Sequence, residues 1–141
     1  MDRRAFLRSS CRGCAGLALG VGVLSLSACA SLPMVKVQSD GRTFSVPLSA
    51  FAESAHVIAR TPKLSYDVLL VALPNGEFRS LYLRCTHQDQ PLSATATGLH
   101  CPSHGSRFGM DGSVEEGPAT TPLHLFTAHR NGDVIIVQLD N

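Results

Sequence analysis

The sequence predicts an all-β protein, and three observations carry that expectation. The chain of 141 residues holds 12 glycines and 8 prolines, a density of turn formers that long helices do not tolerate. Its apolar residues fall in short runs, some alternating with polar residues and some wholly apolar, which is the spacing of strands. Two of the breaks between runs, Pro74-Asn75-Gly76-Glu77 and Asn131-Gly132, have the turn chemistry of hairpins.

Each element follows from its own residues. Met34 to Val37 and Thr43 to Val46 alternate apolar and polar positions around a turn at Asp40-Gly41, which predicts two short strands paired with each other. Pro47 to Ala55, with Leu48, Ala50, Phe51 and Ala52, reads as a loop containing a helical turn. His56 to Arg60 and Asp67 to Leu73 are the next strands, the second strongly apolar, and the turn at Pro74 to Glu77 folds Asp67–Leu73 back on Phe78–Arg84. Leu123 to His129 and Val134 to Leu139 flank Asn131-Gly132 and form a second hairpin.

The length leaves room for one ordinary domain of about 100 to 150 residues once a targeting segment is set aside. Arg3, Arg4, Arg8 and Arg12 crowd the first dozen residues, whereas residues 29 to 141 carry eight Lys or Arg against ten Asp or Glu. A body so close to neutral gives no reason to expect nucleic acid as a partner.

Residues 1–28 are expected to be an address removed from the working protein. A basic start, an apolar stretch from Ala15 to Leu26 and small residues before a cysteine have the layout of a secretory signal. The stretch is shorter than the roughly 20 residues of a spanning helix, and its glycines weaken any helix there. Arg3-Arg4-Ala5-Phe6-Leu7 resembles a twin-arginine signal, which exports folded proteins, and Leu26-Ser27-Ala28-Cys29 resembles a lipobox that would make Cys29 the lipid-bearing first residue. Cys11 and Cys14 leave with such a leader, so Cys85 and Cys101 remain.

The stretch from Cys85 to Pro118 is rich in Gly, Pro, Ser and Thr and poor in periodic apolar residues. A structureless loop of that length is unusual in a compact domain, and a metal site is the natural organiser. Two motifs supply ligands: Cys85-Thr86-His87 and Cys101-Pro102-Ser103-His104. Each places a thiolate and an imidazole on one tight loop. A Cys85–Cys101 disulfide is the plain expectation for an exported domain, but it leaves two closely spaced histidines unexplained. Two Cys and two His suit zinc in tetrahedral geometry or a 2Fe-2S cluster with both thiolates on one iron and both imidazoles on the other. The spacings alone leave both open.

The surrounding residues add a resemblance. Cys85-Thr86-His87, the run Cys101-Pro102-Ser103-His104-Gly105-Ser106-Arg107-Phe108, then Asp111-Gly112-Ser113-Val114 and Gly117-Pro118-Ala119 resemble a Rieske iron-sulfur domain over roughly residues 34 to 141. That resemblance implies an antiparallel β-sandwich base carrying a small cluster-binding subdomain, about 83–118, within a domain of 29–141. It also implies one 2Fe-2S cluster, with Cys85 and Cys101 on the buried iron and His87 and His104 on the exposed one.

The chain departs from the family at informative places. Rieske proteins of cytochrome bc complexes clip their two loops with a disulfide, and the matching positions here are Gln90 and Ser103. Ser106 matches the serine whose hydroxyl donates to a cluster sulfur in the high-potential branch, but Phe108 stands where that branch has a tyrosine. Donors to sulfur stabilise the reduced state, so a potential between the two branches is expected. Ligand imidazoles keep one ring nitrogen free to carry a proton, so the potential should fall at alkaline pH.

Other histidines are expected to be ordinary. His100 neighbours Cys101 but should point the opposite way along a strand, and His56, His124 and His129 have no partner motif. Asp89, Glu115 and Glu116 form either an acidic rim for a basic cytochrome or a simple solvated face.

The expected function is one-electron transfer in the periplasm or at a membrane surface, the protein held by a lipid anchor and exchanging with a c-type cytochrome or a membrane oxidoreductase. A ring-hydroxylating oxygenase needs a further iron site of two His and one carboxylate, for which this length has no room. The alternatives are an iron-sulfur subunit of a quinol-oxidising cytochrome bc-type complex and a zinc-stabilised binding lipoprotein.

Overall fold

A computed structural model describes residues 31–139, so the expected leader 1–28 with its twin arginines, and the expected lipid-bearing Cys29, lie outside the described residues. Eleven strands follow one another: β1 Met34–Lys36, β2 Thr43–Pro47, β3 His56–Arg60, β4 Val68–Ala72, β5 Phe78–Tyr82, β6 Ser93–Ala94, β7 Leu99–His100, β8 Arg107–Phe108, β9 Val114–Glu116, β10 Leu125–Asn131 and β11 Val134–Gln138. A 3-10 turn, Leu48–Phe51, supplies the helical turn expected after Pro47. No helix among the described residues is long and apolar enough to cross a membrane.

The strands make a seven-stranded sheet with barrel-like curvature, in the order β1-β3-β4-β5-β10-β11-β2, and a four-stranded sheet, β6-β7-β8-β9. Both expected hairpins are present, β4 with β5 and β10 with β11. The expected pairing of the first two strands is not. β1 lies parallel to β3, with Met34 opposite Ile58 and Lys36 opposite Arg60, while β2 pairs with β11. The chain does turn at Asp40, whose carboxylate accepts from the Arg42 and Thr43 backbone N–H groups at 2.7 and 2.6 Å, yet only Ser39 and Phe44 bridge across it. The two segments diverge to opposite edges of the same curved sheet, β1 beside β3 and β2 beside β11.

Strand period explains where the cores sit. Alternate residues point to opposite faces, so Leu69 and Val71 of β4 enter one core while Val68 and Leu70 enter the other. β4 is wholly apolar because both of its faces are covered. The second core is enclosed by the curved sheet, with Phe44, Val46, Val57, Phe126, Ile135 and Val137. The first fills the space between β4, β5 and the small sheet, with Leu81, Leu83, Leu92, Leu99, Phe108 and Leu123, and it also contains Cys85 and Cys101.

The stretch after Cys85 is therefore not structureless. Its four strands are two or three residues each, too short to leave an apolar period in the sequence. Gly112 shows how tightly this sheet sits on the base: its φ is +86°, and a Cβ there would lie 2.9 Å from the Leu81 side chain. A larger residue would meet both backbone strain and the core.

Candidate metal centre

Two loops form the exposed end of the small subdomain. The first runs from Cys85 to Gln90 and is closed by the Cys85 N–H donating to the Gln90 carbonyl at 2.8 Å, above a bridge between Arg84 and Pro91. The second is the tip of the β7–β8 hairpin, where the Cys101 N–H donates to the Ser106 carbonyl at 2.8 Å and the Gly105 N–H to the Cys101 carbonyl at 2.9 Å. Gly105 takes a φ of +84°, a conformation that costs glycine little. Each cysteine thus opens a loop that returns to its own N–H.

The same period-two logic aims the thiols. Cys85 is in phase with Leu81 and Leu83, and Cys101 with Leu99, so both sulfurs enter the first core and both residues are fully buried. His100, one residue out of phase, is exposed on β7, as its position predicts. His87 and His104 lie at the loop tips, exposed, with ring centroids 5.0 Å apart and planes at 81°.

The thiols touch without a disulfide. Burial pushes the Cys85 thiol up, but the backbone N–H groups of His87 and Gln88, the Cys101 side chain and the Ser106 hydroxyl outweigh it and hold it below its ordinary value. These are groups that favour a thiolate. Ser106 is itself fully buried, and its Oγ accepts from the Ala119 N–H at 3.0 Å.

Among the described residues no three His, Cys, Asp or Glu side chains meet around one point as a single metal ion requires. The donors instead form an inner thiol pair and an outer imidazole pair. A tetrahedral zinc needs all four around one centre, whereas a two-iron cluster takes sulfur ligands on one iron and nitrogen ligands on the other. The donor set fits the cluster.

Further contacts hold the loops in place. The Ser103 hydroxyl reaches Gln90 Oε1 at 3.5 Å, the outer limit of a hydrogen bond. The Thr86 hydroxyl donates to the Thr121 carbonyl at 2.6 Å, and the Tyr66 hydroxyl to the Asp89 carbonyl. Sequence reasoning missed the contacts of Tyr66, Thr86, Ala119 and Thr121, since all three of them use a backbone atom, which carries no residue signature.

The three expected rim acids divide. Asp89 pairs with Arg84 at 2.7 Å and Glu116 lies 4.0 Å from Arg107, which leaves Glu115 as the one of the three without an ion pair among the described residues. All three are exposed. His124 is exposed and stands edge-on to Phe126 at 4.7 Å, and His129 is exposed on β10.

Comparisons with known proteins point one way. The family model of the Rieske [2Fe-2S] domain matches residues 49–127. The chain is 32% identical over 90 residues to the cytochrome b6-f complex iron-sulfur subunit of Synechococcus sp. (strain JA-3-3Ab), covering 61% of this chain and 51% of that protein. It is 28% identical over 116 residues to the carotenoid phi-ring synthase of Chlorobaculum tepidum, covering 72% of this chain and 18% of the synthase. The chain thus spans at most about half of either relative. Among solved structures, the plasma membrane Rieske protein PetC3 of Synechocystis PCC 6803 superposes with a TM-score of 0.56 at 25% identity, covering 66% of this chain and 95% of that one.

Proposed function

We propose, for a chain that belongs to the Rieske 2Fe-2S domain family, that it is a one-electron carrier whose cluster is held by Cys85, Cys101, His87 and His104. One Rieske-type 2Fe-2S cluster is the cofactor that this family carries. When bound, the cluster supplies reversible uptake of a single electron. The observation that supports the ligand assignment is the pairing of donors, thiols buried in the first core and imidazoles exposed at the loop tips.

The protein's own residues shape that chemistry. The two thiolates are fixed by the strands that precede them, so the sulfur side is excluded from water. The N–H groups of His87 and Gln88 and the Ser106 hydroxyl lie against the Cys85 sulfur, where they favour added negative charge. The imidazoles face solvent, so a partner reaches the centre from the histidine side. Phe108 is fully buried in the same core and brings no hydroxyl, which supports a potential between the two branches of the family.

Residues 1–28 are proposed as a twin-arginine leader with a lipobox, and Cys29 as the lipid-bearing start of a domain of 29–141, whose cluster-binding part is about 83–118. The working location is then the periplasmic face of a membrane, with a c-type cytochrome or a membrane oxidoreductase as redox partner. Similarity to the cytochrome b6-f iron-sulfur subunit favours a second reading, a subunit of a quinol-oxidising complex.

The natively exported protein tests the reading. It should be red-brown, contain iron and acid-labile sulfide, and show a changed visible spectrum when His104 is replaced by Ser. Colourless protein without iron sinks the carrier and the subunit together. Recovery of the protein bound to a cytochrome b would select the subunit.

A further inference from the structure

The second core is not closed over where it meets the first loop of the metal centre. An open cleft of about 810 Å³ lies there, within the roughly 300 to 1,000 Å³ of small-molecule sites. Its wall is made by Leu64, Tyr82, Phe126 and Leu139, each a member of that core or packed against it. Its lip includes Thr86 and Asp89 of the first loop. The mouth of a closed or strongly curved sheet is a common place for a ligand, because side chains that complete a core elsewhere keep an uncovered face there.

Two features of the cleft define the chemistry of its occupant. The first is a series of rings. Tyr82 and Phe126 have centroids 5.4 Å apart and tilted by 57°, His124 follows Phe126 at 4.7 Å and 82°, and all three line the cleft. Ring pairs at such separations and tilts gain energy beyond the area they bury, so a flat aromatic guest is favoured over a saturated one of the same size. The second is charge. Arg84 and Asp89 pair at 2.7 Å and cancel each other. Lys63 is exposed and has no carboxylate within ion-pair distance among the described residues. The lip therefore carries an uncompensated positive charge that favours an anion.

We propose that this cleft binds a small planar aromatic acid, its rings against Tyr82, Phe126 and His124 and its carboxylate at Lys63. The site shares no residue with the four cluster ligands and stands independently of the carrier reading.

Calorimetric titration of the natively exported protein with 2-naphthoate tests the cleft. Binding should saturate at one equivalent with a Kd below about 1 mM. Two comparison probes separate the features: 2-naphthamide keeps the rings without the charge, and octanoate keeps the charge without the rings. Each should bind at least about three-fold more weakly than 2-naphthoate. Lys63→Gln should weaken 2-naphthoate about three-fold and Lys63→Glu about ten-fold, because an exposed ion pair is modest and its reversal turns attraction into repulsion. Lys63 is exposed, so neither change disturbs the core. Absence of saturable binding, octanoate or 2-naphthamide binding as tightly as 2-naphthoate, or an unaffected Lys63→Glu each overturns the proposal. Binding that emerges only in Asp140→Asn also overturns it, since the cleft would then belong to the residues that follow Leu139. A normal iron-sulfur spectrum without 2-naphthoate binding refutes the cleft alone, whereas colourless protein that binds 2-naphthoate with the stated preferences supports the cleft and refutes the carrier reading.

Discussion

The imidazoles of His87 and His104 stand 5.0 Å apart and nearly perpendicular, exposed on the two loops that the buried Cys85 and Cys101 open. Sulfur inside and nitrogen outside is a polarity of the site, and it decides which side of the site faces water.

If those imidazoles are ligands, the potential depends on pH. Reduction adds negative charge and favours protonated rings, so the potential should be level near neutrality and fall at alkaline pH as the ring protons are lost. Each proton contributes about 59 mV per pH unit for a one-electron couple. Protein-film voltammetry between neutral and strongly alkaline pH reads this directly, and a flat response removes histidine ligation.

Ser106 and Phe108 should move the potential in opposite directions. Ser106→Ala removes a donor to the Cys85 sulfur, and Phe108→Tyr places a hydroxyl in the core that holds both cysteines. One hydrogen bond of about 1 kcal/mol corresponds to roughly 40 mV for one electron. The first variant should titrate lower than wild type by about that amount and the second higher. Shifts of the same sign would deny that donors near sulfur set the potential.

The two cores respond differently to truncation. Leu69 is fully buried against the cysteine-bearing core, and Leu69→Ala should cost about 2 to 5 kcal/mol. Ser80 is also fully buried, but its Oγ has no hydrogen-bond partner. Ser80→Ala should therefore stabilise the fold by about 1 kcal/mol. Urea unfolding of the loaded protein distinguishes them, and a destabilised Ser80→Ala would mean that the hydroxyl has a partner such as a buried water.

Acid sensitivity has a local source at the first turn. The Thr43 and Arg42 backbone N–H groups, with Thr43 the larger effect, hold the Asp40 carboxyl below its ordinary value of 3.8. A depressed carboxyl stabilises the folded state above its unfolded value, and that stability is lost as the pH falls through the folded one. Ser113 acts likewise on Asp111. Replacing both aspartates by Ala should flatten the acid limb of a stability profile below about pH 4. An unaltered limb would place acid sensitivity elsewhere.

Much of this protein is legible in residue order alone. Hairpin turns at Asn75-Gly76 and Asn131-Gly132 announce β4–β5 and β10–β11, because a tight turn dictates its own pairing. The ligand motifs announce the centre, since a thiol and an imidazole a few residues apart are side-chain chemistry written directly in the sequence. The phase of Cys85 with Leu81 and Leu83, and of Cys101 with Leu99, is likewise readable as period two.

What tertiary structure alone decided is everything set by contacts distant in sequence. Whether β1 pairs with β2 or β3 depends on which edges the curved sheet leaves open, and local alternation fits either partner. The strands β6 to β9 are too short to leave a period, and they exist because the cluster loops and the first core hold them in register. The bonds from Thr86 to Thr121 and from Ala119 to Ser106 end on backbone or on a lone hydroxyl. Every residue carries such groups, so only the folded arrangement selects which of them meet.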